Sequence, residues 1–167
     1  KNENKILNNI NLKIEKNSKV CILGKTGSGK STFVDLIVGL LKPENGEVYI
    51  DNNNIENVLQ SWHNQISYVP QSTFLLDSTI LENIAFGINK NDIDLLKVEN
   101  SIKLAGLKEF IDTLPEKYNS RIGERGIQLS GGQIQRVGLA RAFYKEFEVL
   151  ILDESTNQLD EQSEIQL

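Results

Sequence analysis

The stretch "GKTGSGKS", Gly24 to Ser31, constrains this chain more than any other, because it fits G-x-x-x-x-G-K-[ST] between an apolar run and a helix-like segment. The preceding "KVCIL" reads as a strand. After Lys30, "STFVDLIVGLL" sets Phe33, Leu36, Ile37, Leu40 and Leu41 at helical spacing, and the breakers of "KPENG" close the helix. A glycine loop in that position curls several backbone N–H groups around one anion, and the helix N-terminus adds its partial positive charge. Lys30 is then placed to reach the β- and γ-phosphates of a nucleotide, and the Ser31 hydroxyl to coordinate Mg²⁺. Gly24, Lys25, Thr26, Gly27, Ser28, Gly29, Lys30, Ser31 and Thr32 are the expected nucleotide-binding residues. The plain alternative is a glycine-rich turn carrying a surface lysine.

Nucleotide chemistry also needs carboxylates at the end of a neighbouring strand. "VLILDE" supplies Asp153, expected to hold Mg²⁺ through water, and Glu154, expected to orient and deprotonate the attacking water. Adjacent strand residues point to opposite sides, so the two carboxylates take different roles. Taken alone, the pair could equally be an acidic helix cap after a buried strand.

The rest of the chain reads as mixed α/β. Residues 5 to 23 alternate and then run apolar, which predicts two or three strands around an "EKNS" turn. "GEVYID" and "QISYVPQ" are further strands, and "FEVLILDE" is the continuous apolar type buried in a parallel sheet. Helical segments fill Ser72 to about Ser120, and another helix is expected from about Ser130 to Lys145. Trp62 and His63 are expected to pack on a short helix rather than bind a ligand.

The 167 residues are 39% hydrophobic, enough for one globular domain with a real core. Net charge is -5, with 23 acidic and 18 basic residues spread along the chain, so no nucleic-acid surface is expected. Cys21, the single cysteine, is expected to pack as a small hydrophobe. No run approaches the roughly eighteen apolar residues of a membrane span. The chain has no methionine and starts at Lys1, so both ends are expected to be cuts in a longer protein.

A second glycine-opened helix follows the first by about a hundred residues. In "LSGGQ", Leu129 to Gln133, Ser130 can cap a helix, while Gly131 and Gly132 allow close backbone approach to a ligand. This is another anion-binding helix N-terminus. One cradle already serves the chain's own nucleotide, so the economical reading assigns the second to the γ-phosphate of an ATP on a partner chain. All four arginines, Arg121, Arg125, Arg136 and Arg141, cluster around it, a surplus that suits an anionic shared interface.

"LSGGQ" followed by "IQRVGLARA", after the phosphate loop and before "VLILDE", resembles the signature of the ATP-binding cassette (ABC) ATPases, and the resemblance covers essentially the whole chain. It implies a P-loop NTPase (RecA-like) core with mixed sheet, residues 1–71 and 134–167, and an inserted α-helical subdomain, residues 72–133. It also implies ATP and Mg²⁺ as cofactors, and a head-to-tail dimer in which Ser130, Gly131, Gly132 and Gln133 face the partner's ATP. Gln71, in "YVPQ", is then the glutamine that approaches Mg²⁺ and the attacking water; without the resemblance it would be a solvated turn residue. "STNQLD", Ser155 to Asp160, resembles the family's partner-contacting loop, although Asn157 and Gln158 replace its usual small residues.

"RIGERG" and "FLLDSTILENIAFG" resemble export-type segments that meet a transmembrane domain, which implies work at the cytoplasmic face of a membrane. A solvated loop pair is the plain reading of Arg121 and Arg125. The family's base-stacking aromatic and switch histidine are absent, and His63 precedes Gln71, so it cannot be that switch. Among rivals, a soluble ABC ATPase acting on ribosomes or DNA stays open, although no heptad run marks the coiled coil of the DNA-repair type. A small P-loop kinase has no use for "LSGGQ". A binding-only cassette does not need the Lys30 and Glu154 that this chain carries.

Overall fold

A computed structural model describes residues 6–124 and 126–153. It divides into two compact units, Lys1–His63 and Asn64–Leu167.

In the first unit the glycine loop runs into α1, Lys30–Val38. The helix stops three residues short of the expected Leu41 because Gly39 turns left-handed, with φ 77°, leaving Leu40 and Leu41 exposed. Helix α2, Ile55–Gln65, packs across this end. Its Trp62 indole donates to Ile37 O at 2.9 Å, and His63 Nε2 lies 2.8 Å from Val38 O. Two carbonyls that α1 cannot satisfy internally are met in this way, which gives Trp62 and His63 the packing role expected of them. A Cβ on Gly39 would come 2.4 Å from Leu59 Cδ1, so the close approach of α2 also depends on that glycine. Strands β1, Tyr49–Ile50, and β2, Asn53–Asn54, form a hairpin whose turn residues Asp51 and Asn52 both have positive φ.

The two or three strands expected before the loop are a correction. The turn at 15–18 forms, with Ser18 N and Oγ both donating to Glu15 O, but no ladder flanks it among the described residues. A strand's hydrogen bonds belong to its neighbour, and alternation alone does not supply one. Ile10, Leu12, Ile14, Val20 and Ile22 accordingly stay exposed, and Cys21 is exposed with them rather than packed.

In the second unit β3, Ile66–Val69, pairs in parallel with β6, Val149–Leu152. β6 has no partner on its other side among the described residues, so Val149 and Leu152 are 37% exposed, unlike the buried strand expected there. Strands β4, Ser78–Thr79, and β5, Arg121–Ile122, pair antiparallel beside α3, Ile80–Ile84. Helices α4, Leu95–Leu104, and α5, Lys108–Asp112, follow, and then α6, Gly131–Tyr144. Helix α6 packs on α3, α4 and β3, and Val137 through Ala140 are all buried. A helix covered on every side is the axis of a core, here shared with Ile80, Ile84, Val98, Leu107 and Ile122. Among the described residues no helix is long and apolar enough to cross a membrane.

Helix α3 opens with a capping box: Thr79 Oγ1 accepts from Glu82 N at 3.1 Å, and the Glu82 carboxylate accepts from Thr79 N. The Ser78 hydroxyl, then the Thr79 N–H and hydroxyl, hold the Glu82 carboxyl down at about 2; burial opposes this and Lys90 assists. A carboxyl depressed on folding stabilises the native state above its unfolded pKa and loses that contribution as pH falls. Titrating from about 4.5 to about 2 should therefore loosen α3. Glu82→Gln should flatten that part of the stability curve; an unchanged slope in acid unfolding would exclude the box as its source.

Candidate functional site

The glycine loop closes on itself through Ser28 N to Lys25 O at 3.1 Å and Lys30 Nζ to Gly24 O at 3.0 Å. Gly27 and Gly29 take φ of 80° and 93°, backbone that side chains rarely adopt, and a Cβ on Gly24 would lie 2.5 Å from Ser28 Oγ. Gly29 occupies the N-cap of α1 and offers no side chain, so no capping oxygen competes for the first-turn N–H groups. Ser31 is exposed, and Thr32 half-buried, on the first turn of the helix. A glycine loop with two left-handed turns that runs into an uncapped helix N-terminus and carries a lysine is chemically suited to phosphate oxygens.

In the second unit Ser130 caps α6. Its Oγ accepts from Gln133 N at 3.3 Å, and Gln133 Oε1 accepts from Ser130 N at 2.9 Å. The S-x-x-Q spacing carried this signal in the sequence, although there it was read only as a cap. The box occupies the amides of Ser130 and Gln133, whereas those of Gly131 and Gly132 belong to the first turn, which has no intrahelical partner.

Gln71 follows β3 and Asp153 follows β6. The register Val69↔Leu152 and the bond from Asp153 N to Val69 O, at 3.0 Å, bring both out at the same edge of the parallel pair. Gln71 is exposed and Asp153 half-buried. Oxygen donors of this kind suit Mg²⁺, which is ordinarily held by one or two carboxylates together with substrate phosphates. Glu154 and the 155–160 loop lie outside the described residues, as does Arg125. One neighbour of Asp153 was not anticipated: the Tyr68 hydroxyl donates to its Oδ2 at 3.1 Å.

Three of the four arginines, Arg121, Arg136 and Arg141, are bonded to carbonyls of the chain. Arg121 donates to Asp77 O and Arg136 to Gly106 O. Arg141 is committed most fully, with Nε to Asn83 O at 2.9 Å, Nη1 to Phe74 O at 3.1 Å and Nη2 to Asn83 Oδ1 at 3.2 Å, beside the Phe86 ring at 4.8 Å. Burial pulls its pKa below the ordinary value, a cost that these acceptors offset. These three guanidiniums tie β5 and α6 to neighbouring segments of the chain.

Known proteins similar to this chain point to one family. The model of the ABC transporter family matches residues 7–157. ABC transporter B family member 2 of Dictyostelium discoideum is 40% identical over 162 residues, 96% of this chain and 12% of that protein. The ATP-dependent lipid A-core flippase of Cupriavidus pinatubonensis is 39% identical over 163 residues, 96% of this chain and 28% of that protein. A solved bacterial Atm1-family ABC exporter with ATP bound matches with a TM-score of 0.77 at 36% identity, over 85% of this chain and 25% of its own. The chain thus spans between 12% and 28% of the length of these three proteins. Its fold is that of a P-loop NTPase, and with the glycine loop, the serine-capped α6 and the strand-end aspartate in the family's order, the chain belongs to the ABC transporter family.

Proposed function

We propose that the chain is the ATP-binding and ATP-hydrolysing domain of an ABC exporter, in which two ATP-binding domains close around nucleotide and drive a transmembrane domain. The observation that carries this reading is the pair of glycine-opened helix N-termini. The one at α1 lacks any side-chain cap, and the one at α6 keeps two glycine amides outside its capping box. Backbone donors at a helix N-terminus are suited to phosphate oxygens.

In this reading Gly24 to Thr32 wrap the chain's own ATP, and Lys30 neutralises its β- and γ-phosphates. Ser31 would coordinate Mg²⁺ and Asp153 would hold it through water, Gln71 would approach the metal and the attacking water, and Glu154 would take that water's proton. Bound Mg²⁺ supplies charge neutralisation across the phosphate oxygens. Ser130, Gly131, Gly132 and Gln133 serve the ATP of a second ABC domain, identical or different. Residues 72–133 form the helical subdomain inserted into a core of 1–71 and 134–167, and the assembly works at the cytoplasmic face of a membrane. Relatives described as an exporter and a flippase support the direction of transport.

Ser130→Arg in the complete protein tests the trans role. It should bind ATP as the wild type does, yet lose ATP-driven association by about tenfold or more, equivalent to about 1.4 kcal/mol. Ser130→Asn caps a helix about as well as serine and separates lost capping from lost docking. Loss of ATP binding itself in the arginine variant would contradict the assignment of these residues to the partner's nucleotide.

A further inference from the structure

We propose that Tyr68 is a positioning residue for Asp153, setting the orientation in which its carboxylate receives Mg²⁺; the proposal rests on Asp153 having the metal role assigned above. Tyr68 pairs in register with Ile151 across the β3–β6 ladder. Side chains two residues apart on a strand share a face, so Asp153 leaves on the Tyr68 side of the pair. There the phenol donates to Asp153 Oδ2 at 3.1 Å, while the Asp153 N–H is tied to Val69 O at 3.0 Å.

β3 therefore holds Asp153 twice, once through its backbone and once through its side chain. Oδ1 accepts no hydrogen bond from the described residues and is the oxygen left for the metal's shell. A neutral phenol is well suited to this task. It fixes the rotation of the carboxylate without pairing away its charge, as an arginine or lysine would, and the full negative charge stays available to a cation. The ring itself fills a half-buried strand position that phenylalanine would fill equally well. The hydroxyl is what the proposal concerns, and Tyr68→Phe removes it while keeping the ring.

The test uses the complete protein with a non-hydrolysable ATP analogue and Mn²⁺ in place of Mg²⁺, the metal being followed by its paramagnetic resonance. Tyr68→Phe should weaken Mn²⁺ binding by about tenfold, the scale seen when the partner of a metal ligand is removed. Nucleotide affinity without metal and the melting temperature should both stay at wild-type values. Asp153→Asn is run in parallel and should weaken Mn²⁺ binding further. Wild-type Mn²⁺ affinity in Asp153→Asn would overturn the metal role, and the Tyr68 proposal with it. Weak binding in Asp153→Asn beside wild-type binding in Tyr68→Phe would overturn the Tyr68 proposal alone. Equal losses of metal-free nucleotide affinity and of metal affinity in Tyr68→Phe would mark the hydroxyl as a strut of the sheet and also overturn it.

Discussion

Glu154→Gln in the complete protein should lower ATP hydrolysis by about a thousandfold while ATP still binds, within the range that one positioned general base supplies. The amide keeps the size and most of the hydrogen bonding of the carboxylate but cannot accept the proton of the attacking water. In the proposed reading ATP binding rests on other groups, the loop from Gly24 to Ser31 with the Lys30 ammonium drawn across it. Binding and chemistry should therefore separate cleanly. If ATP binding closes the two domains and hydrolysis reopens them, the variant should also accumulate as a long-lived ATP-bound dimer. Phosphate release and the lifetime of the associated form are the two measurements. Phosphate release at the wild-type rate would remove Glu154 from the mechanism and leave the proton of the attacking water to another acceptor.

The parts of the site that were legible in the sequence are those whose geometry is set within a few residues. Helix α1 begins at Lys30 and α6 at Gly131, close to where the glycines and Ser130 place them, because an N-terminus is decided by its cap and first turn. The parallel pairing of "VLIL" followed from its unbroken apolar run. What escaped reading depends on partners far along the chain. The alternation in residues 5 to 23 predicted strands, but a ladder requires a neighbour that periodicity does not name. The α1 periodicity ran on through Leu40 and Leu41, whereas a single left-handed Gly39 overruled it. The bond from Tyr68 to Asp153 spans the register of two strands separated by the whole helical segment, and nothing local to "SYVPQ" announces it. The carbonyls that Arg121, Arg136 and Arg141 meet escaped for the same reason, since clustered charge in a sequence does not reveal them.

Asn83→Leu should destabilise the helical unit by about 4 kcal/mol, because Asn83 is fully buried and every arm of its amide is in use. Its Nδ2 donates to Leu76 O and Thr79 O, both at 3.0 Å, and its Oδ1 accepts from Leu76 N at 2.8 Å and from Arg141 Nη2 at 3.2 Å. Leucine nearly matches the volume but leaves the Leu76 N–H without its acceptor, at about 1–3 kcal/mol before relaxation, and strips one donor each from Leu76 O and Thr79 O, although Leu76 O keeps Ser78 N at 2.8 Å. Arg141 would lose one acceptor and its alignment with the Asn83 and Phe74 carbonyls. That matters beyond stability, because Arg141 stands near the end of the helix whose beginning carries Ser130, and Phe74 to Leu76 follow closely on Gln71. Thr73 lies so close to α6 that a Cβ on Gly138 would come 2.4 Å from its Oγ1. The segment after Gln71 and the helix opened by Ser130 are thus held as one piece by Asn83, Arg141 and the Thr73–Gly138 contact. Hydrogen exchange should show the Leu76 amide and α3 opening far more often in Asn83→Leu, and ATP-driven association should weaken alongside. Unchanged protection at Leu76 would mean that apolar packing alone positions α6; faster exchange with wild-type association would mean that the seam is structural and does not transmit to Ser130.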